Sequence, residues 1–319
     1  MRRRTQLGLA RLGARVWGEL DRRLRQEAGF VPVLCYHRVL PELVEDPDEP
    51  VYSLLPQQFE AQLAQLAREG WQTLSLGEFA AAARGQVPLP ARAVLLTFDD
   101  GYADFYRVAW PLARKYGLKL NLFLTTGFVD RPEVLFMAPQ GYRFCRPEEG
   151  GEEFPASWRA HACRFPKLWR PLTWQEVREL HQAGVGLALH GHSHTDLGRL
   201  PASAATAEVE TGLELMQEHL RFRAQCLALP YGGYASVPWA ALARLSKLGI
   251  SLIFTTIYGR PRLPGPPRLL PRLLVLQQDS FSDFRRKLQG AYDYLGRLQE
   301  WRFRLRALIR QGPEEQDAF

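Results

Sequence analysis

Residues 94–105 read VLLTFDDGYADF, five apolar or β-branched residues in a row followed by two aspartates and a glycine. An apolar run without alternation is how a strand buried on both faces reads, and such strands belong to parallel sheets covered by helices. Asp99, Asp100 and Gly101 then supply turn chemistry and end the strand. The same texture recurs on both sides: VPVLCYHRV at 31–39, VGLALHGHSHTDL at 185–197 and CLALPYGGY at 226–234 each run from apolar residues into a polar cluster. Strands are predicted over 31–35, 72–74, 94–98, 118–123, 185–189, 226–229, 251–254 and 273–276. Helical patterns fill the intervals at 56–68, 76–83, 105–116, 173–183, 203–220 and 237–248. This alternation predicts an α/β fold, a distorted (β/α) barrel of seven or eight units.

Parallel barrels carry their reactive groups on the loops at the carboxyl ends of the strands. Four clusters occupy that position here: His37; Asp99 with Asp100; His190, His192 and His194; and Pro230 to Tyr234. Two adjacent aspartates at a strand end point in different directions, so one can bind a metal while its neighbour faces an attacking water. A cation or a shared proton must offset their mutual repulsion. Three of the seven histidines fall within five residues, and His190 and His194 are four apart, close enough to aim both imidazoles at one ion. Two histidines and one carboxylate leave positions open for water and substrate, as a catalytic site requires. His192 would share a face with the other two on an extended segment, but the glycine-containing loop breaks that geometry.

The 319 residues, 46% hydrophobic and 24% charged, suffice for a large core and exclude a disordered chain or a coiled-coil rod. Cys35, Cys145, Cys163 and Cys226 are too scattered for a disulfide framework and form no CxxC pair, which reads as a reducing compartment. Arg11, Arg15 and Glu19 interrupt what would be the apolar stretch of a secretory signal, and no window is apolar enough to span a bilayer. Residues 1–27 predict a basic amphipathic helix, 28–284 the catalytic domain, with an irregular insertion at 131–170, and 285–319 a basic helix and tail. The net charge of +7 lies on the ends: eight Arg against three acids in 1–27, and eight Lys or Arg against five acids in 285–319. That leaves the barrel at −1, so an anionic substrate is not required. The flanking helices are instead expected to rest on each other or on an acidic membrane surface, at the cytoplasmic face. No nucleic-acid module is visible.

With these motifs the chain resembles the polysaccharide deacetylases, the NodB homology family grouped as carbohydrate esterase family 4. It is most similar to the branch acting on poly-N-acetylglucosamine. The resemblance runs from about Val31 to Phe284 through VPVLCYHRV, FEAQLAQLAREGWQTLSLGEF, TFDDGYADFY, PLTWQEVRELHQAGVGLALHGHSH, LALPYGGY, LGISLIFTT and LPRLLV. It implies a NodB-type barrel in which Asp100, His190 and His194 hold a divalent metal, zinc first and cobalt or nickel next. Asp99 would be the general base that activates water, and the Tyr231 backbone N–H would help hold the oxyanion. The implied reaction hydrolyses the N-acetyl group of an N-acetylhexosamine glycan and releases acetate.

Two departures from the family pattern stand out. Ala228 occupies the position of the arginine that orients the base, which leaves Asp99 without its usual partner. No histidine follows His219, where the family supplies its general acid, and His37 is the expected substitute because it ends the first strand on the same face. The alternatives are a hydrolase of another non-peptide C–N bond on this fold, or a catalytically impaired carbohydrate-binding protein. Tyr102, Trp110, Phe123 and Trp174 are expected to pack the core, Cys35 to be buried, and His161, His181 and His219 to face solvent.

Overall fold

The computed structural model describes residues 29–43, 52–131, 156–264 and 269–310, together with Gly13. The helix expected over 1–27, apart from Gly13, most of the insertion (132–155) and the tail 311–319 lie outside the described residues. Strands are β1 (Val33–Tyr36), β2 (Arg38–Val39), β3 (Ser53–Leu54), β4 (Gln72–Thr73), β5 (Ala93–Phe98), β6 (Asn121–Leu124), β7 (Gly186–Leu189), β8 (Cys226–Ala228), β9 (Leu252–Phe254), β10 (Leu269–Leu270) and β11 (Leu273–Leu274). Among the described residues, one parallel sheet runs in the order β10-β9-β8-β7-β6-β5-β1-β11, with β4 also paired to β5.

The two edges of that sheet meet on one short segment. β10 pairs with β9 and β11 pairs with β1, yet only Pro271 and Arg272 separate β10 from β11 in the chain. The sheet is therefore curled into a distorted barrel, as the alternation of motifs predicts. Its two faces bury different apolar sets, as the period of two along each strand dictates. Val33, Leu95, Phe123, Ala188, Cys226, Ala228, Phe254 and Leu270 fill the interior. Leu34, Leu96, Phe98, Leu122, Leu187, Leu189 and Leu227 belong to the outer layer under the helices.

The helices begin where the sequence provides caps. α1 (Pro56–Arg68) starts with proline at its first position and buries Phe59, Leu63 and Leu66, spaced for one face. α2 (Leu76–Ala83) opens on Ser75, whose Oγ accepts from the Glu78 N–H at 3.2 Å while Glu78 Oε2 accepts from the Ser75 N–H at 2.8 Å. A π-helical turn, Phe105–Ala109, precedes α3 (Trp110–Lys115), because Pro111 lacks the N–H a regular turn needs. α4 (Ala156–Arg164) and α5 (Pro166–Trp169) lie within the expected insertion, and α6 (Trp174–Gln182) and α7 (Ala202–Leu220) flank β7. α8 (Leu242–Lys247) follows a 3₁₀ turn after Pro238. The single helix expected at the C-terminal end is two, α9 (Phe281–Leu288) and α10 (Asp293–Arg310), interrupted at Gly290 with φ 82°.

Candidate active site

The inner face of the barrel turns polar at its carboxyl end. Above the apolar layers, Cys35, Thr97, Asp99, His190 and Arg272 are all buried, and register explains how they meet. β1 and β5 pair Tyr36 with Phe98, and the Asp99 N–H donates to the Tyr36 carbonyl at 3.0 Å, so His37 and Asp99 emerge side by side. β7 and β8 pair Leu189 with Leu227, which sets His190 level with Ala228. His190 Nδ1 lies 2.9 Å from the Ala228 carbonyl and donates to it, leaving the Nε2 lone pair to face the site.

Asp100 takes φ 78° and Gly101 φ 98°, a turn that folds the second carboxylate back over the barrel mouth. A Cβ at Gly101 would lie 2.6 Å from Leu124 Cδ1, so glycine is required there. Asp100 Oδ1 is 3.5 Å from His190 Nε2 and 3.3 Å from His194 Nε2. Ligand atoms of Asp100, His190 and His194 all lie within 4.8 Å of one another, and the three residues are buried. Asp100 Oδ1 has no hydrogen-bond partner, the condition of a carboxylate oxygen shaped to meet a cation. Burial lowers the pKa of His190 to about 4, so its imidazole is neutral at physiological pH.

Asp99 is held differently, and here the sequence expectation is corrected. Arg272, from the segment that closes the barrel, forks onto it: Nη1 to Oδ1 and Nη2 to Oδ2, both at 2.7 Å. Arg272 Nε donates to the Thr255 carbonyl at 2.9 Å, and the side chain is fully buried. Burial alone would raise the Asp99 carboxyl, but the Arg272 charge, with His190, outweighs it and holds the group well below the usual carboxylate range. Ala228 therefore does not leave Asp99 unpartnered. The guanidinium arrives from the junction between β10 and β11, and the Ala228 carbonyl instead orients His190.

The remaining sequence candidates divide. His37 sits beside Asp99 with its ring against Tyr52 (4.7 Å between centroids), its Nδ1 buried without a hydrogen-bond partner and its pKa lowered by burial. Tyr231 adopts φ 61°, with its carbonyl accepting from Thr256 Oγ1 at 2.7 Å and its exposed ring 5.5 Å from that of His194. His192 is not brought to the cluster: its Nδ1 lies 3.2 Å from Thr126 Oγ1, and its carbonyl accepts from the Gly127 N–H. His161 is buried, contrary to expectation, because its Nδ1 accepts from Trp169 Nε1 at 2.8 Å. Cys35, Tyr102, Phe123 and Trp174 are buried as expected, and Trp110 packs partly buried against the core.

Besides Arg272, two further supports escaped sequence reasoning. Arg38, buried between the Tyr102 and Trp169 rings, pairs with Asp104 at 3.1 Å and ties the His37 loop to the turn after Asp99. Glu208 on α7 accepts from both the N–H and the Oγ of Ser193 at 2.9 Å, next to His194 in its left-handed conformation (φ 59°).

Curled parallel sheet, paired aspartates and facing histidines define a hydrolase-like barrel with a candidate metal centre. Against known proteins, a family model described as polysaccharide deacetylase matches residues 86–251, just over half of the chain, and the chain belongs to that family. It is 27% identical over 290 residues to the poly-beta-1,6-N-acetyl-D-glucosamine N-deacetylase of Escherichia coli (strain K12), covering 82% of this chain and 38% of that relative. The chain thus spans well under half the length of that curated relative. In fold it is similar to IcaB from Ammonifex degensii (TM-score 0.59, 23% identity, 83% of this chain and 98% of that one). It is likewise similar to the Streptococcus pyogenes deacetylase PplD, solved in complex with acetate (TM-score 0.59, 23% identity, 81% and 98%).

Proposed function

We propose that this chain is a metal-dependent N-deacetylase acting on N-acetylhexosamine residues of a glycan, with β-1,6-linked N-acetylglucosamine the first substrate to test. One observation carries the reading: a partnerless buried carboxylate oxygen on Asp100 facing the Nε2 atoms of His190 and His194, beside a second carboxylate locked by Arg272. That donor set fits a divalent ion such as zinc, with cobalt or nickel also compatible. Such an ion would supply Lewis-acid polarisation of the acetamide carbonyl and of water.

The chain's own residues supply the rest. Asp99, ionised and oriented by Arg272, keeps lone pairs beyond the guanidinium and takes the proton of the attacking water. The Tyr231 N–H donates to the oxyanion. His37, neutral at rest, takes the water's proton over from Asp99 beside it and passes it to the leaving nitrogen, which restores both groups. Arg272 weakens the impaired-binder alternative, because the loss of a base-orienting arginine was one of its two supports, the missing histidine after His219 being the other.

For placement, the outward face of α10 carries Leu298, Trp301 and Leu305, exposed at helical spacing and flanked by Arg297, Arg302 and Arg304. We read this face as the one by which α10 would rest on acidic lipid, and flotation with anionic vesicles checks it. No described helix is long and apolar enough to cross a membrane.

The test of the reaction is acetate release from lipid-linked, oligomeric and polymeric N-acetylglucosamine, with zinc, cobalt or nickel added. Release from at least one substrate is expected. Silence across the panel would return the C–N hydrolase alternative.

A further inference from the structure

A second donor set lies against the first. Cys35 Sγ, a ring nitrogen of His37 and a carboxylate oxygen of Asp99 all fall within 4.8 Å of one another. Residues 35 and 37 lie two apart at the end of β1, so both reach the barrel mouth, and both fall outside the 86–251 segment that matches the family model. Cys35 Sγ donates to Asp99 Oδ2 at 3.4 Å, and His37 Nδ1 is buried without a hydrogen-bond partner. The space between sulfur and carboxylate holds one proton, and the His37 imidazole, with its Nδ1 unused, stands beside it.

We propose that Cys35, His37 and Asp99 form a second, inhibitory metal site, selective for thiophilic divalent ions and filled only when metal exceeds the first site. Thiolate, imidazole and carboxylate are the donors zinc and cobalt take, whereas magnesium and calcium call for oxygen alone. On binding, the Cys35 S–H bond breaks, the proton leaves to solvent, and the ion takes its place between Sγ and Asp99. Two features make this site the weaker one. Arg272 already neutralises Asp99, and burial pushes the Cys35 thiol up, so the ion must displace a firmly held proton. The inhibitory consequence rests on the proposed reaction, since the ion would occupy both Asp99 and His37. The binding itself does not.

Full-length protein stripped with chelator and titrated with cobalt separates these claims. The first equivalent should give ligand-field bands without a sulfur signature. Excess cobalt should add a thiolate-to-cobalt charge-transfer band. That band should vanish in Cys35→Ala and in the near-isosteric Cys35→Ser, and persist in Cys163→Ala. Zinc should displace it, with the second-site affinity falling more than about 100-fold in both Cys35 variants, beyond the loss typical of outer-shell changes. Excess zinc should slow acetate release by the wild type and not by Cys35→Ser. A band that survives in Cys35→Ser, or no band at all in excess cobalt, overturns the site. An absence of deacetylation with the band present overturns only the reaction it rests on.

Discussion

Replacing Arg272 by methionine keeps most of the side-chain volume and removes the fork that holds Asp99. In the native chain both carboxylate oxygens meet the guanidinium at 2.7 Å and neither side chain touches solvent to a meaningful extent. Removing one partner of such a pair leaves a buried charge uncompensated, a loss of about 3–5 kcal/mol. Urea denaturation of chelator-treated protein at pH 7 reads this as a lower midpoint at unchanged slope. Arg272→Lys, which keeps the charge without the fork, should fall between the two. The pH dependence has a definite sign. The Asp99 carboxyl is depressed in the folded chain, so its contribution is complete above the unfolded value of about 3.9 and fades as pH falls through the folded one. In the variant the strongest opposition to burial is gone, so the same carboxyl moves up. The gap between the two proteins should therefore be widest at neutral pH and shrink as pH falls from the variant's raised value towards the depressed value of the native chain. Equal midpoints at pH 7, or a gap indifferent to pH, would refute the reasoning.

Glu208→Gln weakens the acceptor that fixes the Ser193 backbone, and zinc affinity measured calorimetrically should drop about 10–100-fold with little change in thermal midpoint; unchanged affinity contradicts the role. Gly101→Ala forces a Cβ into a left-handed position 2.6 Å from Leu124 Cδ1 and should destabilise by about 1–3 kcal/mol in the same urea assay. His192→Ala should keep its full metal content by elemental analysis, because the ring faces Thr126, while His190→Ala loses it.

The barrel and the convergence of Asp100, His190 and His194 were legible because strand ends are written locally. Apolar runs ending in polar residues mark strand ends, and His190 and His194 stand close enough in sequence to face one point, where the sheet then brings Asp100. Arg272 was not legible in the same way. It lies 173 residues from Asp99, and only the curl of the sheet brings β11 beside β1 and hence Arg272 over β5. Its signal was still present: one arginine inside LLPRLLVL must either break the strand or find a buried partner. Ala228 misled because a missing side chain was read at one position while a guanidinium reaches Asp99 from the junction of β10 and β11. His161 was placed in solvent for a related reason, since nothing near it in sequence announces the Trp169 N–H eight residues on.

The central claim is that Asp100, His190 and His194 hold the ion on which acetate release depends. It is tested most directly by assaying chelator-stripped wild type and Asp100→Asn on N-acetylglucosamine oligomers before and after adding back zinc, with bound metal quantified in each sample. Wild type should be silent when stripped and recover with about one equivalent of metal, while Asp100→Asn should neither retain metal nor recover. An Asp100→Asn protein that releases acetate at the wild-type rate without bound metal would contradict the account.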